Sequence, residues 1–263
     1  MKVSSGNWKL DDSYPGPVLL IVRHGQTDFN LNRTFQGQLD VPLNDLGRIQ
    51  AEHSATAVLS VLKILPLSLV KACHLLSSDL SRASDTARVI HKRIKEKYPI
   101  HNDLKLTTLL REQNVGDLQG ITLDEFCARA PNEAALYQKS VLEDPYRSRA
   151  PGKDAESKMD VAKRVRQVMQ ETIIPAVGEK RSELHIWCAH GWVINALMEL
   201  MSLSLGADPY IGNADVLITT GNTSHQNPST LATQFDVQHT WKILEHVEVG
   251  ERIGHLSFAR PAA

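Results

Sequence analysis

Short apolar runs alternate along the chain with longer segments whose apolar residues recur at helical spacing. Residues 17–23 and 184–189 are almost unbroken apolar runs, as expected for strands buried on both faces of a parallel sheet. The predicted strands are 17–23, 69–76, 104–107, 184–189, 216–219 and 231–245. Apolar stripes predict helices at about 44–65, 80–98, 123–130, 161–173 and 192–204. Asn44 is a suitable N-cap for the first helix, and Pro99 ends the second.

This alternation predicts an α/β fold of three layers, α/β/α, with helices on both faces of a mainly parallel central sheet. From residue 113 to 153 the periodicity weakens, so we expect an inserted cap segment over the edge of the sheet. Residues 1–15 are expected to form a flexible leader, and 16–263 a single domain that contains the cap. Residues 221–230 are polar and rich in turn formers, and are expected to form an exposed loop.

Composition and charge narrow the classes of function. The formal net charge is -1 and the isoelectric point about 6.8, so the chain lacks the excess of basic residues typical of nucleic-acid-binding proteins. Any site for an anion must therefore depend on a local cluster of charges. The most apolar stretch, 57–70, contains Lys63 and Pro66 and is too short for a membrane span. Residues 1–12 lack the apolar core of a signal peptide. We therefore expect a cytoplasmic protein that binds neither nucleic acid nor membrane; its oligomeric state stays open.

The cysteines do not have the spacing of a catalytic, disulfide or metal site. Cys73, Cys127 and Cys188 are odd in number and widely spaced, which indicates a reducing compartment. A cysteine phosphatase loop would place an arginine six residues after Cys188, but that position is Ile194. We expect all three to be buried thiols, and we expect no metal, because the sequence has no metal-ligand motif.

Chemically active residues follow two of the apolar strands at their carboxyl ends. The first strand is followed by Arg23-His24-Gly25 and the second by His190-Gly191. Ligands of open α/β sheets bind beyond the carboxyl ends of the strands, so two histidines on neighbouring strands could face one small anion. A glycine after the histidine lets the chain turn and brings backbone N–H groups close to a ligand.

Phosphoryl transfer is the reaction that these residue types favour. A neutral imidazole such as that of His24 is a good nucleophile toward phosphorus, and a covalent intermediate divides the displacement into two easier steps. The planar fork of arginine binds two phosphate oxygens, and both Arg23 and Arg82, in the first turn of a predicted helix, could supply it. His190 could add a donor. Glu112, after another predicted strand, could protonate the leaving oxygen and then activate water.

Several blocks of residues carry a family resemblance. Arg23-His24-Gly25-Gln26-Thr27, followed by Asn30, resembles the signature of the histidine phosphatase superfamily, in its phosphoglycerate mutase-like branch. Further blocks follow in the family's order: Gln36-Gly37, Asp40, Pro42-Leu43, Leu46-Gly47, Ser77-Ser78-Asp79-Leu80, Arg82-Ala83, Thr86-Ala87, Leu110-Arg111-Glu112, Gly116, Gly120, Glu156-Ser157, Asp160, Arg164 and His190-Gly191. The resemblance covers about residues 17–204.

The resemblance implies roles for individual residues. By it, His24 would be the phosphohistidine nucleophile and Glu112 the proton donor and acceptor. Arg23, Arg82 and His190 would hold the phosphoryl group. The residues implied to line the substrate pocket are Asn30, Gln36, Gly37 and Gly191. The family's usual Gly-Gly before Glu-Ser is Asp154-Ala155 here, which leaves substrate identity open rather than catalysis.

Three functions stay open at this point. The first is hydrolysis of a small phosphomonoester (a sugar phosphate, a bisphosphate or a phosphorylated acid) without a cofactor. The second is a cofactor-dependent phosphoglycerate mutase, and the third is a non-catalytic module that binds a phospho-ligand on the same scaffold. Mutases of the family carry a basic-aromatic pair after the catalytic glutamate. Here Glu112 is followed by Gln113-Asn114-Val115, which favours the phosphatase.

Substrate selection is expected to come from the cap, because enzymes with different substrates share the phosphoryl-binding residues. The basic residues of this segment are Arg129, Lys139, Arg147, Arg149 and Lys153. Either they are solvated surface charges, or one or two of Arg147, Arg149 and Lys153 overhang the pocket and bind a second phosphate or a carboxylate. The second interpretation predicts a preference for a bisphosphate or a phosphorylated acid.

Overall fold

The computed structural model describes residues 16–100, 103–203, 211–222 and 240–247. The expected leader at 1–15, residues 223–230 of the expected loop, and residues 231–239 of the last predicted strand lie outside the described residues. Residues 221 and 222 of that expected loop belong instead to a strand.

Six strands of the described chain form one central sheet. In chain order they are β1 Val18–Arg23, β2 Cys73–Ser78, β3 Leu104–Thr107, β4 Leu184–Ala189, β5 Val216–Asn222 and β6 Thr240–Val247. Their order in the sheet is β3-β2-β4-β1-β5-β6. The first four strands pair in parallel, whereas β5 and β6 extend the β1 edge in antiparallel pairing. The mainly parallel sheet predicted from the sequence is therefore confirmed.

Helices connect these strands and cover the sheet. In chain order they are α1 Asp28–Leu31, α2 Asp45–Leu62, α3 Leu67–Lys71, α4 Ser81–Lys95, α5 Leu123–Arg129, α6 Pro131–Glu143, α7 Lys158–Glu171, α8 Ile173–Gly178 and α9 Gly191–Leu200, with 3₁₀ turns at Thr108–Leu110 and Gly116–Leu118. Asn44 caps α2 as predicted, because its side chain accepts from the Gly47 N–H at 2.8 Å. None of the helices in the described residues has the length and hydropathy that a membrane span requires.

The apolar sequence of β1 reflects two separate cores. Leu19 and Ile21 pack in a core with α7, α8 and α9, whereas the alternate residues Val18, Leu20 and Val22 pack in a core with α2, α3 and α4. The strand is buried along its whole length because helices cover both faces of the sheet. This arrangement is the predicted three-layer α/β fold.

The strand predicted at 69–76 begins later than expected. Leu69 and Val70 belong to α3, which follows Pro66, and both are buried in the core on the α2 side. The strand begins only at Cys73. A short apolar run does not distinguish a buried helical turn from a buried strand, which explains the error.

The cap segment, residues 113–153, has a small core of its own. The buried residues of this core are Ala155, just beyond the segment, and within it Val115, Leu118, Phe126, Ala134 and Ala150. Helix α6 was not predicted from the sequence, because Ala134 is its one buried residue and its apolar positions give little periodic signal. Phe35 packs against the cap core, and its backbone bonds with Ile121 and Gly120 join the loop after α1 to the cap.

Candidate active site

A close contact between two glycines fixes the loop that follows β1. A Cβ at Gly25 would lie 2.3 Å from the carbonyl oxygen of Gly47, and a Cβ at Gly47 would lie 2.0 Å from that of Gln26. No side chain can be accommodated there, so both positions require glycine. The Gly25 N–H also donates to Thr86 Oγ1 at 3.2 Å. These contacts hold His24 at the carboxyl end of β1.

The His24 ring is buried, and one hydrogen bond defines its tautomer. Nδ1 lies 2.7 Å from the carbonyl oxygen of Gly25. A carbonyl oxygen only accepts, so Nδ1 carries the proton and Nε2 keeps its lone pair. Burial, followed by the positive charges of Arg82 and Arg23, lowers the pKa of His24 well below its usual value. The ring is therefore neutral at about pH 7, as a nucleophile must be.

His190 lies beside His24 because their strands are neighbours. Arg23 on β1 pairs with Ala189 on β4, so the next residue of each strand emerges at the same edge of the sheet. The two ring centroids are 5.0 Å apart. His190 is fully buried, and within the described chain neither of its ring nitrogens has a hydrogen-bond partner. Burial, then the charge of Arg82, lowers its pKa, so the neutral ring has one N–H to donate to a ligand.

Two arginines add positive charge around the histidines. Arg82, in the first turn of α4, is fully buried, and its Nη1 and Nη2 donate to the carbonyl oxygens of Leu39 and Gly37, each at 2.8 Å. Burial lowers the pKa of Arg82 to about 10, so it stays charged at neutral pH. Arg23 Nη1 donates to the Ile211 carbonyl oxygen at 2.7 Å. Of the described residues, none accepts a hydrogen bond from Arg82 Nε. A buried donor without a partner costs about 1–3 kcal/mol, and a phosphoryl oxygen in this pocket would provide the partner.

Glu112 places a half-buried carboxyl group beside these cations. Its Oε1 accepts from the backbone N–H groups of Gln113 at 2.9 Å and Trp192 at 3.2 Å. A Cβ added at Gly191 would lie 3.8 Å from both Glu112 Oε2 and Arg23 Cζ, so carboxyl and guanidinium groups share one small space. Burial raises the pKa of Glu112, although the backbone bonds and the two arginines oppose the rise. The carboxyl therefore keeps its proton to a higher pH than an exposed glutamate.

An ion pair holds the loop that carries Glu112. Arg164 on α7 pairs with Glu156, with Nε–Oε1 at 2.9 Å and Nη2–Oε2 at 3.1 Å. The same guanidinium donates to the carbonyl oxygens of Leu109 at 2.8 Å and Glu112 at 3.1 Å. Glu156 Oε2 accepts from the Asn114 N–H at 2.9 Å. The pair thus restrains the backbone on both sides of the carboxyl group.

A cavity opens onto these groups. Its lining includes the side chains of Arg23, His24, Arg82 and Glu112, and His190 packs against His24. The four residues implied by the resemblance to line the pocket, Asn30, Gln36, Gly37 and Gly191, lie in the same lining. The structure therefore brings together, at the carboxyl end of the sheet, two histidines, two arginines and a carboxyl group, which are the kinds of group that phosphoryl transfer uses.

The structure does not bring Arg147 and Arg149 to this cavity. The Arg147 side chain is exposed and pairs with Asp144 at 3.2 Å within its own turn. Arg149 Nη2 lies 2.6 Å from Asp160 Oδ2, and its Nη1 donates to the Ala155 carbonyl oxygen at 2.8 Å. Neighbouring acceptors engage both guanidinium groups, so the expected overhang above the pocket has no support in the geometry.

Other lining residues were not assigned to the site from the sequence. Among them are Phe29, Arg33, Trp192 and Asn213. Phe29 directly precedes Asn30, Arg33 lies three residues after it, and Trp192 follows the second His-Gly pair, so proximity to the motifs was a usable signal. Asn213 comes from a distant part of the chain, where its Nδ2 donates to the carbonyl oxygen of His24 at 3.1 Å and lies 3.3 Å from Asn30 Oδ1.

The fold and this site together identify the class of protein. Residues 19–232 match the histidine phosphatase superfamily, branch 1. The chain belongs to this superfamily, as its motif blocks implied.

Individual relatives refine the comparison. A glucosyl-3-phosphoglycerate phosphatase of Mycobacterium tuberculosis is 33% identical over 217 residues, which are 81% of this chain and 87% of the relative. A 2,3-bisphosphoglycerate-dependent phosphoglycerate mutase of Gloeobacter violaceus is 33% identical over 189 residues, 71% of this chain and 77% of the relative. The structure of a mycobacterial glucosyl-3-phosphoglycerate phosphatase in complex with VO3 has a TM-score of 0.62 at 28% identity, covering 89% of this chain and 99% of that one. The protein is a phosphoric monoester hydrolase of the histidine phosphatase superfamily.

Proposed function

We propose that the protein hydrolyses a small phosphorylated acid or sugar phosphate through a phosphohistidine on His24. The observation that carries this proposal is the fixed tautomer of His24. Its Nδ1–H is held by the Gly25 carbonyl oxygen, and its pKa is depressed, so the Nε2 lone pair is available at neutral pH.

In the first step, His24 Nε2 attacks phosphorus, and the bond from phosphorus to the ester oxygen breaks. Glu112 donates its proton to the departing oxygen, which leaves as an alcohol. Arg23, Arg82 and His190 hold the non-bridging oxygens and stabilise the charge that they gain in the transition state. The raised pKa of Glu112 supports its role as the acid in this step.

In the second step, water attacks the phosphohistidine. The carboxylate of Glu112, deprotonated in the first step, accepts a proton from that water, the phosphorus–nitrogen bond breaks, and inorganic phosphate leaves. His24 is thereby restored in its neutral form. Side chains of the chain itself supply each step, so we propose that the reaction needs neither metal nor cofactor, and that activity persists after treatment with a chelator.

The relatives guide the choice of substrate. A relative named glucosyl-3-phosphoglycerate phosphatase aligns over most of this chain, which favours a phosphorylated acid that carries a sugar as the first substrate to test. The mutase relative keeps phosphoglycerate mutase activity as a second candidate. We favour hydrolysis, because Gln113-Asn114-Val115 stands where family mutases have a basic-aromatic pair. We further propose a cytoplasmic location, in keeping with the odd number and wide spacing of the three cysteines.

The test is a substrate panel run on the wild type and on His24→Ala. The panel contains glucosyl-3-phosphoglycerate, 3-phosphoglycerate, sugar monophosphates, a sugar bisphosphate and 4-nitrophenyl phosphate, with and without 2,3-bisphosphoglycerate. Release of phosphate that depends on His24 supports the hydrolase. Interconversion of phosphoglycerates that requires the bisphosphate would support the mutase instead. Binding of phosphorylated ligands without turnover would support the non-catalytic module.

A further inference from the structure

Arg33 lies on the wall of the same cavity as His24, in an unusual backbone conformation. Its φ is +55°, the left-handed region that a residue with a side chain adopts at a cost of about 1 kcal/mol or more. The Arg33 N–H lies 3.3 Å from the carbonyl oxygen of Asn30, which also lines the cavity. The strained residue is therefore one short turn away from the phosphoryl-binding residues.

The loop around Arg33 is held from two sides. On one side, the Thr27 hydroxyl accepts from the Asn30 N–H and closes the capping box of α1. On the other side, Thr34 forms a bridge with Thr122, and the Phe35 N–H donates to the Ile121 carbonyl oxygen at 3.0 Å. The backbone that carries Arg33 is thus tied both to the catalytic loop and to the cap.

The Arg33 side chain differs from the other cations considered for this site. Arg82 has both Nη atoms bonded to carbonyl oxygens, and Arg147 and Arg149 pair with acidic residues. Arg33 is exposed, and within the ranges that the structure describes its guanidinium has neither a hydrogen bond nor an ion pair. A guanidinium group without a partner among the described residues is available to an anionic group of a ligand.

We propose that Arg33 forms a subsite for a second anionic group of the substrate, a carboxylate or a second phosphate, next to the phosphoryl group bound at His24. Aromatic rings of Phe29, Phe35 and Trp192 line the same cavity and would face the uncharged part of the substrate. The proposal rests on the proposed function, and it places selection in the loop between α1 and the cap. The cap arginines Arg147 and Arg149 then have no part in it.

The test compares Arg33→Ala and Arg33→Lys with the control Arg147→Ala, which removes an exposed cation of the cap. The substrates are 3-phosphoglycerate, fructose 1,6-bisphosphate and glycerol 3-phosphate. In the last of these the phosphate is the one anionic group. Arg33→Ala is expected to lower kcat/KM about 10- to 100-fold for a substrate with a second anionic group, mainly through KM, as for loss of a charge-assisted hydrogen bond. Glycerol 3-phosphate should change less than about 2-fold, and Arg33→Lys should be intermediate, because lysine keeps the charge without the fork.

The pattern of losses decides the outcome. A loss confined to 3-phosphoglycerate identifies a carboxylate subsite, and a loss confined to the bisphosphate identifies a phosphate subsite. Equal losses on all three substrates, no loss on any, or the same selective loss in Arg147→Ala would overturn the proposal. Calorimetric binding of 3-phosphoglycerate to His24→Ala, with and without Arg33→Ala, separates this proposal from the proposed function. Binding that depends on Arg33 would support the subsite even if the wild type hydrolysed nothing, and binding that ignores Arg33 would refute it.

Discussion

Replacing Glu112 by glutamine should affect poor leaving groups far more than good ones. Oε1 of the glutamine can still accept from the backbone N–H groups of Gln113 and Trp192, so the loop should keep its position. What disappears is the proton that the carboxyl donates. General acid catalysis contributes about 10²- to 10⁴-fold, or about 2.7–5.4 kcal/mol of transition-state stabilisation. We expect kcat/KM for an alkyl phosphate to fall by that factor.

An aryl ester with an acidic leaving group should behave differently. Nitrophenolate leaves as a stable anion, so kcat/KM for 4-nitrophenyl phosphate should fall less than about 10-fold in the same variant. Its steady-state rate should still drop, because Glu112 also activates water in the second step. Rapid mixing should therefore show a burst of nitrophenol followed by slow turnover, with phosphoenzyme accumulating. Stopped-flow absorbance and quantification of the acid-labile phosphoenzyme measure both quantities.

The pH dependence of kcat/KM is a second test of Glu112 as the general acid. Because burial raises the pKa of Glu112, the protonated form extends to higher pH than for an exposed glutamate. In the wild type, kcat/KM for the alkyl ester should fall as the pH rises through that pKa. The glutamine variant should lack this limb. Equal losses on alkyl and aryl esters, with an unchanged pH profile, would refute the assignment of Glu112 as the acid and leave it a purely electrostatic role.

Three further changes test other parts of the structure. His24→Ala should abolish turnover and phosphoenzyme while the melting temperature stays within a few degrees; a loss of only a few-fold would mean that water attacks phosphorus directly. Glu156→Gln should lower the free energy of unfolding in urea by about 1–2 kcal/mol and lower kcat for alkyl esters, because Arg164 loses its counter-charge beside Glu112. The control is Glu143→Gln, on the exposed face of α6. Equal effects in both variants would contradict a role of Glu156 in positioning the loop of Glu112. Burial, then the neighbouring side chains, lowers the pKa of His185 to about 3, so stability should fall as the pH drops from about 6.5 toward that value, since the unfolded chain then binds more protons. His185→Gln should reduce the slope between pH 7 and 5 in urea unfolding without abolishing it, because burial also lowers the pKa values of His24 and His190; an unchanged slope would show that His185 does not contribute.

The local sequence determined the strands that carry the site. The apolar runs before His24 and His190 favour strands covered on both faces, as the structure confirms, and the residues that follow such strands emerge at one edge of a parallel sheet. The position of Gly25 directly after His24 predicted a structural role for this glycine. The structure shows that the role is a close contact with Gly47 rather than a tight turn. Such features depend on residue size and on periodicity, which the order of amino acids records directly.

Only the tertiary structure decided which charged groups reach the pocket. Arg147 and Arg33 are both exposed arginines, and residue type alone does not show which of them reaches the pocket. The fold pairs Arg147 with Asp144 and leaves Arg33 on the cavity wall. The neutral state of His24 and the raised pKa of Glu112 likewise follow from burial by elements far apart in sequence. The burial of a charged group and the identity of its hydrogen-bond or ion-pair partner both depend on which distant segments of the chain lie within a few ångströms of it. These segments come together only when the chain has folded.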